Sequence, residues 1–438
     1  MCYNSDKGEV IMDFNEEEYM SRLIDDLMDD YLETFGAISV EGPKWCGKTW
    51  TSYKHAKSAV FLDDEQTQAQ AKLDLELILN KEMPELIDEW TLVPKIWDKV
   101  RRKCDLDNKR GKYILTCSTK LKEKKDAEDK ENKIYHSGAG RIGRVKMYTM
   151  SLWESKDSSG NASIMDMYEG KQKNVSLEEV DIKNITRLII RGGWPGNLNT
   201  KNVSLIPKSY IESILEKDMN DDKKRDKNKM IMLLKSLARN ETSVVSNKTI
   251  INDIEEYNTD NELIESRTTL LDYLDVLMRL HLIENQNAYS GNYRSKERLG
   301  KSAKRHFTDP SLACAALNLN EEKLINDLKT FGFMFEALVE RDLRIYMEYL
   351  GGQMLHFRDN VTGLEVDSIL EFADGSYAAI EIKLGFHQVE EAKANLLKFS
   401  ENMLVKPKFM CVIVGNVNAV MKDPETGIYI LPITALKP

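Results

Sequence analysis

Apolar positions fall first into short runs alternating with helical stretches, and later into longer helical periods. "GAISVEG" predicts a strand ending at a glycine, and "KTWTSYKHAK" the helix after it. "SAVFLDD" (58–64) predicts a second strand, followed by a helical stretch, "QTQAQAKLDLELILN". "PELIDEW" reads as a short strand, "PKIWDKVRRK" as a helix beginning at Pro94, and "KYILTCS" as another buried strand. Such alternation predicts an α/β fold with a parallel sheet covered by helices on both faces. Upstream, "EEEYMSRLIDDLMDDYLE" has the period of an amphipathic helix with a solvated acidic face.

Beyond residue 230 the pattern turns helical. "NKTIINDIEEY" and "SRTTLLDYLDVLMRLHLI" are amphipathic, the second capped by Ser266 and carrying Leu270, Leu274 and Leu277 on one stripe. Followed by "IENQNAYSGNYR", the pair predicts a helix-turn-helix with a β-wing. A long helix, "GFMFEALVERDLRIYMEYL", then precedes strands in "LEVDSILEF", "YAAIEIKL" and "KFMCVIVG".

A chain of 438 residues exceeds one ordinary core, so several domains are expected. No run approaches the length of a membrane span and "MCYNSDKGEV" lacks an apolar signal core, so a cytoplasmic protein without membrane contact is expected. The six cysteines are scattered without a C-x-x-C pair, which reads as buried thiols rather than zinc ligands or a disulfide framework. A net charge of −10 argues against a surface coated for nucleic acid. The charge-rich stretches at 120–133 and 216–229 carry mixed signs and read as solvated loops or helix faces.

"EGPKWCGKTW" contains Gly42, Gly47, Lys48 and Thr49 in the spacing G-x-x-x-x-G-K-[ST]. Between an apolar strand and a helix, its backbone N–H groups and the helix N-terminus would cradle phosphate oxygens. Gly42, Pro43, Lys44, Trp45, Cys46, Gly47, Lys48, Thr49 and Trp50 are therefore the candidate nucleotide-binding loop. Lys48 would reach the β- and γ-phosphates of ATP, and Thr49 would ligate Mg²⁺. Trp45 either packs the loop or stacks on a base, with packing the adopted reading. In "ELIDEW", Asp88 would hold the magnesium through water, and Glu89 would orient and polarise the attacking water. Thr116 and Ser118 are candidates for sensing the γ-phosphate. Arg141, Arg144 and Arg191 are candidates for a transition-state arginine, with Arg141 preferred.

The C-terminal strands carry a second constellation. Leu364, Val366, Leu370 and Phe372 would share one face of the first strand, and Glu365, Asp367 and Glu371 the other. With a three-residue turn at Asp374-Gly375-Ser376, Asp367 falls opposite Lys383 and diagonal to Glu381. An Asp, Glu and Lys trio of this kind is used by D…E-x-K nucleases, whose carboxylates bind a second Mg²⁺ or Mn²⁺. Glu336 would add a third carboxylate. The same residues also read as a solvent-facing strand pair with a salt bridge. Near the wing, Arg294, Lys296, Arg298, Lys301, Lys304 and Arg305 suit phosphates, while Asp272 and Asp275 would repel a DNA backbone.

The combination of "YMSRLIDDLM", "GAISVEGPKWCGKTWT", "PELIDEW", "ILTCST", "HSGAGRI", "MSLWES", "RGGWPG", "LLKSLARNETS", "FTDPSLACAAL", "EVDSILEF" and "AIEIKLG" resembles a family of bacterial and archaeal AAA+-type ATP-binding proteins with a C-terminal domain of unknown function. Trp45 and Cys46 belong to its P-loop variant, and Thr91 departs from it where Gln is expected. The resemblance implies an acidic helix at 1–34, an ATPase core at 35–200, a helical lid at 201–236, a winged helix at 237–310 and a restriction-endonuclease-like domain at 311–438. Nucleotide roles carry onto Lys48, Thr49, Asp88 and Glu89. The function expected is Mg²⁺-dependent ATP hydrolysis coupled to DNA or RNA processing by a homo-oligomer. The alternative is a nucleotide-controlled switch whose inactive C-terminal domain binds a protein partner.

Overall fold

The computed structural model describes residues 2–4, 9–11, 18–107, 109–121, 134–178, 181–220, 224–256, 266–291, 303–359 and 361–438. Most of the charged stretch at 120–133, and Arg294, Lys296, Arg298 and Lys301, lie outside the described residues. The chain divides into two compact units, Met1–Tyr148 and Thr149–Pro438, whereas the sequence reading ran its first large domain to residue 200.

The first unit comprises α1 (Ile24–Thr34), β1 (Ala37–Glu41), α2 (Lys48–Lys54), β2 (Ser58–Phe61), α3 (Glu65–Leu73), β3 (Glu85–Asp88), α4 (Lys95–Asp107), β4 (Tyr113–Cys117) and β5 (Ile142–Lys146). The strands form one parallel sheet in the order β2-β3-β4-β1-β5. Alternation along them supplies two cores. Ile38, Val40, Leu86 and Ile114 pack with Ile24 and Met28 of α1, while Ala37, Ile87, Tyr113 and Leu115 pack with Ile96, Trp97 and Val100 of α4. Each fully buried aliphatic side chain of this kind contributes about 1.5–3 kcal/mol. The parallel, doubly covered sheet expected from the sequence is therefore present.

The acidic helix differs from its expectation. It begins only at Ile24, and Asp25 is buried rather than solvated. Tyr19 through Leu23 approach it without helical structure.

In the second unit, β6 (Val175–Ser176) precedes a helical region of α5 (Ile182–Arg191), α6 (Leu205–Glu216), α7 (Lys227–Arg239), α8 (Asn247–Glu256) and α9 (Arg267–Arg279). Ser266 caps α9 by accepting from the Thr269 N–H, as its position predicted. Asp272 on α9 does not present a free charge: it pairs with buried Arg225 at 3.0 Å, and Asp275 pairs with Arg279 at 2.9 Å. After α9, β7 (Ile283–Gln286) pairs antiparallel with β8 (Lys304–Phe307). The helix α10 (Pro310–Ala316) follows, then α11 (Leu328–Tyr349), which buries Phe331, Phe335, Leu338 and Leu343 but also Glu340, Arg341 and Asp342.

The strands that follow include β9 (Gln353–Arg358), β10 (Glu365–Glu371), β11 (Tyr377–Lys383), β12 (Met410–Val414), β13 (Ala419–Lys422) and β14 (Tyr429–Pro432), with α12 (Val389–Asn402) between β11 and β12. With β6 they make a seven-stranded mixed sheet in the order β9-β10-β11-β12-β14-β13-β6.

Two details of β10 correct the sequence geometry. The hairpin closes with the Phe372 N–H donating to the Ser376 carbonyl at 2.9 Å, and Gly375 takes the left-handed conformation at φ 81°. The turn is thus Ala373-Asp374-Gly375, one residue earlier than expected. Pairing of Ser368 with Ile380 shifts the register by two and sets Asp367 level with Glu381 instead of Lys383. On the other edge, pairing passes from Leu355↔Ile369 to Phe357↔Val366, which leaves Asp367 and Ser368 in a bulge. The bulge reverses the faces: Leu364, Val366 and Ile369 pack together with Ala392, Leu396 and Phe399 of α12.

Candidate functional site

The loop between β1 and α2 is shaped by a close approach and two left-handed residues. A Cβ on Gly42 would stand 2.1 Å from the Met147 carbonyl oxygen, so only glycine fits. Gly47 caps α2 at φ 106°, and Trp45 sits at φ 63°. Trp45 is 54% exposed, so the loop is packed not by Trp45 but by Cys46, which is fully buried. Trp50 is also exposed, at 36%, while Gly42 and Pro43 are buried and Lys44 is intermediate. The ammonium of Lys48 folds back and donates to the Pro43 carbonyl at 2.8 Å, across the loop that would surround a phosphate.

An unforeseen brace holds this loop from behind. Arg22 donates to the Cys46 carbonyl at 2.8 Å and to the Tyr148 carbonyl at 2.9 Å. Next to it, Asp25 accepts from the Arg22 N–H at 2.9 Å, the Tyr19 hydroxyl at 2.7 Å and Lys54 at 3.0 Å, and meets the His55 ring at 3.2 Å. Burial alone would raise the Asp25 carboxyl, but the bonds from His55, Arg22, Tyr19 and Lys54 outweigh it and hold the pKa down to about 2. The sequence pattern takes "YMSRLIDD" into an amphipathic helix with a solvated acidic face, which gives no role to Tyr19 or Arg22.

Hydrogen bonds link the loop to the acidic end of β3. The Thr49 hydroxyl and the Asp88 carboxylate meet at 3.0 Å, and the Thr116 hydroxyl donates to the same Asp88 oxygen at 2.6 Å. The Thr116 oxygen in turn accepts from the Glu89 N–H at 3.0 Å. Ser118 then binds the Glu89 carboxylate through its hydroxyl and, at 3.2 Å, its backbone N–H. Glu89 is a non-glycine residue at φ 54°, a conformation that costs about 1–3 kcal/mol and persists where surroundings enforce it. Burial, and secondarily the Glu89 charge, push Asp88 up to about 6 against the pull of Thr116, Thr49 and Lys48. Thr49 and Asp88 are hard oxygen donors side by side, the donor set that suits Mg²⁺.

Of the candidate arginines, Arg141 and Arg144 belong to the first unit. Arg141 precedes β5 at the edge of the sheet where Ala37 begins β1, opposite to the edge that carries Gly42. Its side chain pairs with Asp105 of α4 at 2.7 Å. Arg144 lies along β5, 3.4 Å from Glu41 and 5.2 Å over the Trp97 ring. Arg191 belongs to the second unit, where it pairs with Asp157 at 2.5 Å.

In the second unit the structure does bring together Asp367, Glu381 and Lys383. Lys383 lies 2.6 Å from Glu381 and 3.4 Å from Asp367, beside an open groove of about 460 Å³. Asp367 also accepts from the Ile382 N–H at 2.8 Å, and Asn395 of α12 donates to Glu381 at 2.6 Å. Asn395 had no sequence signal. Burial first, and the Asp367 charge second, push Glu381 up to about 8 against the pull of Lys383. Glu336 is engaged by Lys304 at 3.2 Å, and Lys304 lies 3.7 Å from Glu340. Lys304 is thus buried among carboxylates rather than available to phosphates, a correction to its sequence reading; Arg305 bonds Asn247 and the Val245 carbonyl. Among the described residues, no group of three or more His, Cys, Asp or Glu side chains is arranged to hold a metal ion.

Comparison with known proteins supplies three regional matches. A model described as an AAA domain matches residues 34–156, and two domains of unknown function match residues 182–323 (DUF8612) and 331–436 (DUF4143). Residues 34–156 accordingly form an AAA-type P-loop ATPase domain, in agreement with the loop and the parallel sheet. No curated protein matches the chain. Among solved structures, the Walker-type ATPase paby2304 of Pyrococcus abyssi is 12% identical, over 70% of this chain and 99% of that one, with a TM-score of 0.41. A half-complex of Thermococcus gammatolerans McrB AAA+ hexamers with bound McrC is 9% identical, over 77% and 87%, with a TM-score of 0.22. Among the described residues no helix is long and apolar enough to cross a membrane.

Proposed function

We propose that the first unit binds ATP with Mg²⁺ and hydrolyses it. The observation that carries this reading is the continuous hydrogen-bonded path Thr49–Asp88–Thr116–Glu89–Ser118. It ties the phosphate loop to the two carboxylates that the chemistry needs. Gly42, Pro43, Lys44, Trp45, Cys46, Gly47 and Trp50 frame the nucleotide, Lys48 neutralises its terminal phosphates, and Thr49 and Asp88 hold the metal. Bound there, Mg²⁺ would offset charge on the β- and γ-phosphates. Glu89 orients and polarises water, with Ser118 fixing its carboxylate. Arg141, remote from its own chain's loop, serves the site of a neighbouring copy in a homo-oligomer. Phosphate release by wild-type and Glu89→Gln protein tests the assignment; equal rates would sink it.

For the use of the energy, the leading reading is nucleic-acid processing, with α8, α9 and the β7–β8 pair as a winged helix and the sheet around Asp367 as a nuclease-like domain. A specific observation favours the second reading, a nucleotide-controlled switch with an inactive C-terminal domain. Lys304 and Lys383 already engage the carboxylates Glu336 and Glu381 in close ion pairs. ATP turnover with and without DNA or RNA at modest salt separates them: stimulation supports processing, and indifference supports the switch.

A further inference from the structure

The nuclease-like reading calls for a divalent cation held by Glu336, Asp367 and Glu381, yet a buried ammonium already stands against Glu336 and the Asp367 backbone. Four carboxylates, Glu336, Glu340, Asp367 and Glu381, converge around β10 and β11, and two ammonium groups stand among them. Lys383 is the partner expected from the strand pattern. Lys304 is not. It comes from β8, its side chain is 1% exposed, and it approaches Glu336 at 3.2 Å, Glu340 at 3.7 Å and the Asp367 carbonyl at 3.4 Å.

The strand that carries Lys304 is tied through its partner strand to the large sheet. Opposite Lys304, Gln286 of β7 donates to the Leu355 carbonyl on β9 at 3.0 Å. Beyond it, the Tyr289 N–H donates to the His356 carbonyl at 2.7 Å, and the His356 N–H to the Asn287 carbonyl at 3.0 Å. The segment following β7 is therefore stitched to the edge of the large sheet. Two residues from Lys304 on β8, His306 is buried between Glu241 at 3.1 Å and Gln286 at 2.9 Å. Lys304 is built into this framework as a fixed charge, not laid over the surface as a mobile arm.

We propose that Lys304 is the resident cation of the C-terminal carboxylate cluster, standing in place of a divalent metal. A metal ion sharing Glu336 and Asp367 would be repelled by the buried Lys304 ammonium at close range. Burial pushes the Glu336 and Glu340 carboxyls up, and the single Lys304 charge offsets part of the cost of keeping them in the interior. The native cluster then takes no divalent cation, and removal of the Lys304 charge creates a metal site from the same carboxylates.

The test is Mn²⁺ titration of the full-length, nucleotide-free protein, with free Mn²⁺ read by electron paramagnetic resonance. Leaving out nucleotide makes the result independent of ATP hydrolysis. Lys304→Met alone strands two buried carboxylates, so it is paired with Glu340→Gln, which removes one of them. Wild-type protein is expected to show no Mn²⁺ site that Asp367→Asn removes. Folded Lys304→Met/Glu340→Gln protein is expected to gain one, tighter by about 100-fold or more than the weakest Mn²⁺ binding the titration resolves, and to lose it when Asp367→Asn is added. An Asp367-dependent Mn²⁺ site in the wild type would overturn the proposal whether or not the variant folds. So would a folded variant that gains no such site.

Discussion

Ser118, just beyond the end of β4, holds the Glu89 carboxylate with both of its donors, its hydroxyl on one oxygen and its backbone N–H on the other at 3.2 Å. Glu89 itself is pinned in a left-handed conformation, with its N–H on Thr116. Thr116 of β4 therefore fixes the backbone of Glu89, and Ser118, just past the strand, fixes its side chain. Replacing Glu89 by Gln removes the acceptor for the water proton and is expected to lower kcat by about 10²–10⁴-fold with little change in KM. Ser118→Ala leaves the N–H in place and should cost less, on the order of 10-fold, the worth of one hydrogen bond to a charged group. Steady-state phosphate release measures both. A Ser118→Ala loss larger than that of Glu89→Gln would contradict this division of labour.

Asp88 supplies a pH signature. With its pKa raised to about 6, chiefly by burial, the carboxyl is protonated in the empty protein below that pH. Magnesium needs the ionised form, so Mg²⁺–nucleotide affinity should be flat at neutral pH and fall about tenfold per pH unit below 6. Binding near pH 6 should release a proton, detectable by calorimetry in buffers of different ionisation enthalpy. Asp88→Asn should bind weakly and lose the slope. Wild-type affinity that stays level from pH 7.5 to about 5 would discard the linkage.

The order of elements was legible because period and punctuation were local. Four of the five strands of the parallel sheet were short apolar runs, whereas β5, IGRVK, carries Arg144 and Lys146 and gave no such signal, and Ser266 marked the start of α9. The phosphate loop was legible for the same reason: Gly42, Gly47, Lys48, Thr49, Asp88 and Glu89 lie in two short segments. What escaped depended on three-dimensional closure. The turn at Ala373-Asp374-Gly375 differs by one residue from the expected one, yet it moves Asp367 two places along β11. Lys304 looked like a phosphate contact because its neighbours in sequence are basic, while its neighbours in space are acids on α11, 32 and 36 residues away. Arg22 reaches the Tyr148 carbonyl across 126 residues, and no local pattern records such a contact.

The brace at Asp25 predicts a stability effect separate from catalysis. Asp25→Ala removes a buried carboxylate that partners Tyr19, Arg22, Lys54 and His55, and it should cost about 3 kcal/mol. For a unit of this size that lowers Tm by roughly 10 °C. The pH sign follows from the depressed pKa of about 2: the stabilisation is complete above the unfolded value near 4 and fades as pH falls from there toward 2. Thermal melts of wild-type and variant protein should therefore converge in acid. Melts separated by the same interval at pH 3 and pH 7 would show that Asp25 acts through packing alone.

Arg141 decides whether the site is complete within one chain. It lies where β5 begins, the phosphate loop follows the far end of β1, and a five-residue strand separates those edges by about 16 Å. Its guanidinium is already held by Asp105 at 2.7 Å. With its side chain committed to Asp105 at that end of the sheet, the transition-state role proposed for it would be supplied from one copy to another. Turnover per chain should then rise with protein concentration, and Arg141→Ala should abolish that rise while leaving dilute protein unchanged. Mixing Arg141→Ala chains with Glu89→Gln chains should restore part of the activity, because an intact Glu89 on one chain meets an intact Arg141 on the other. Restoration on mixing is the decisive result: a merely structural Arg141 would give none, and a role within its own chain would leave both mixed variants as inactive as they are alone.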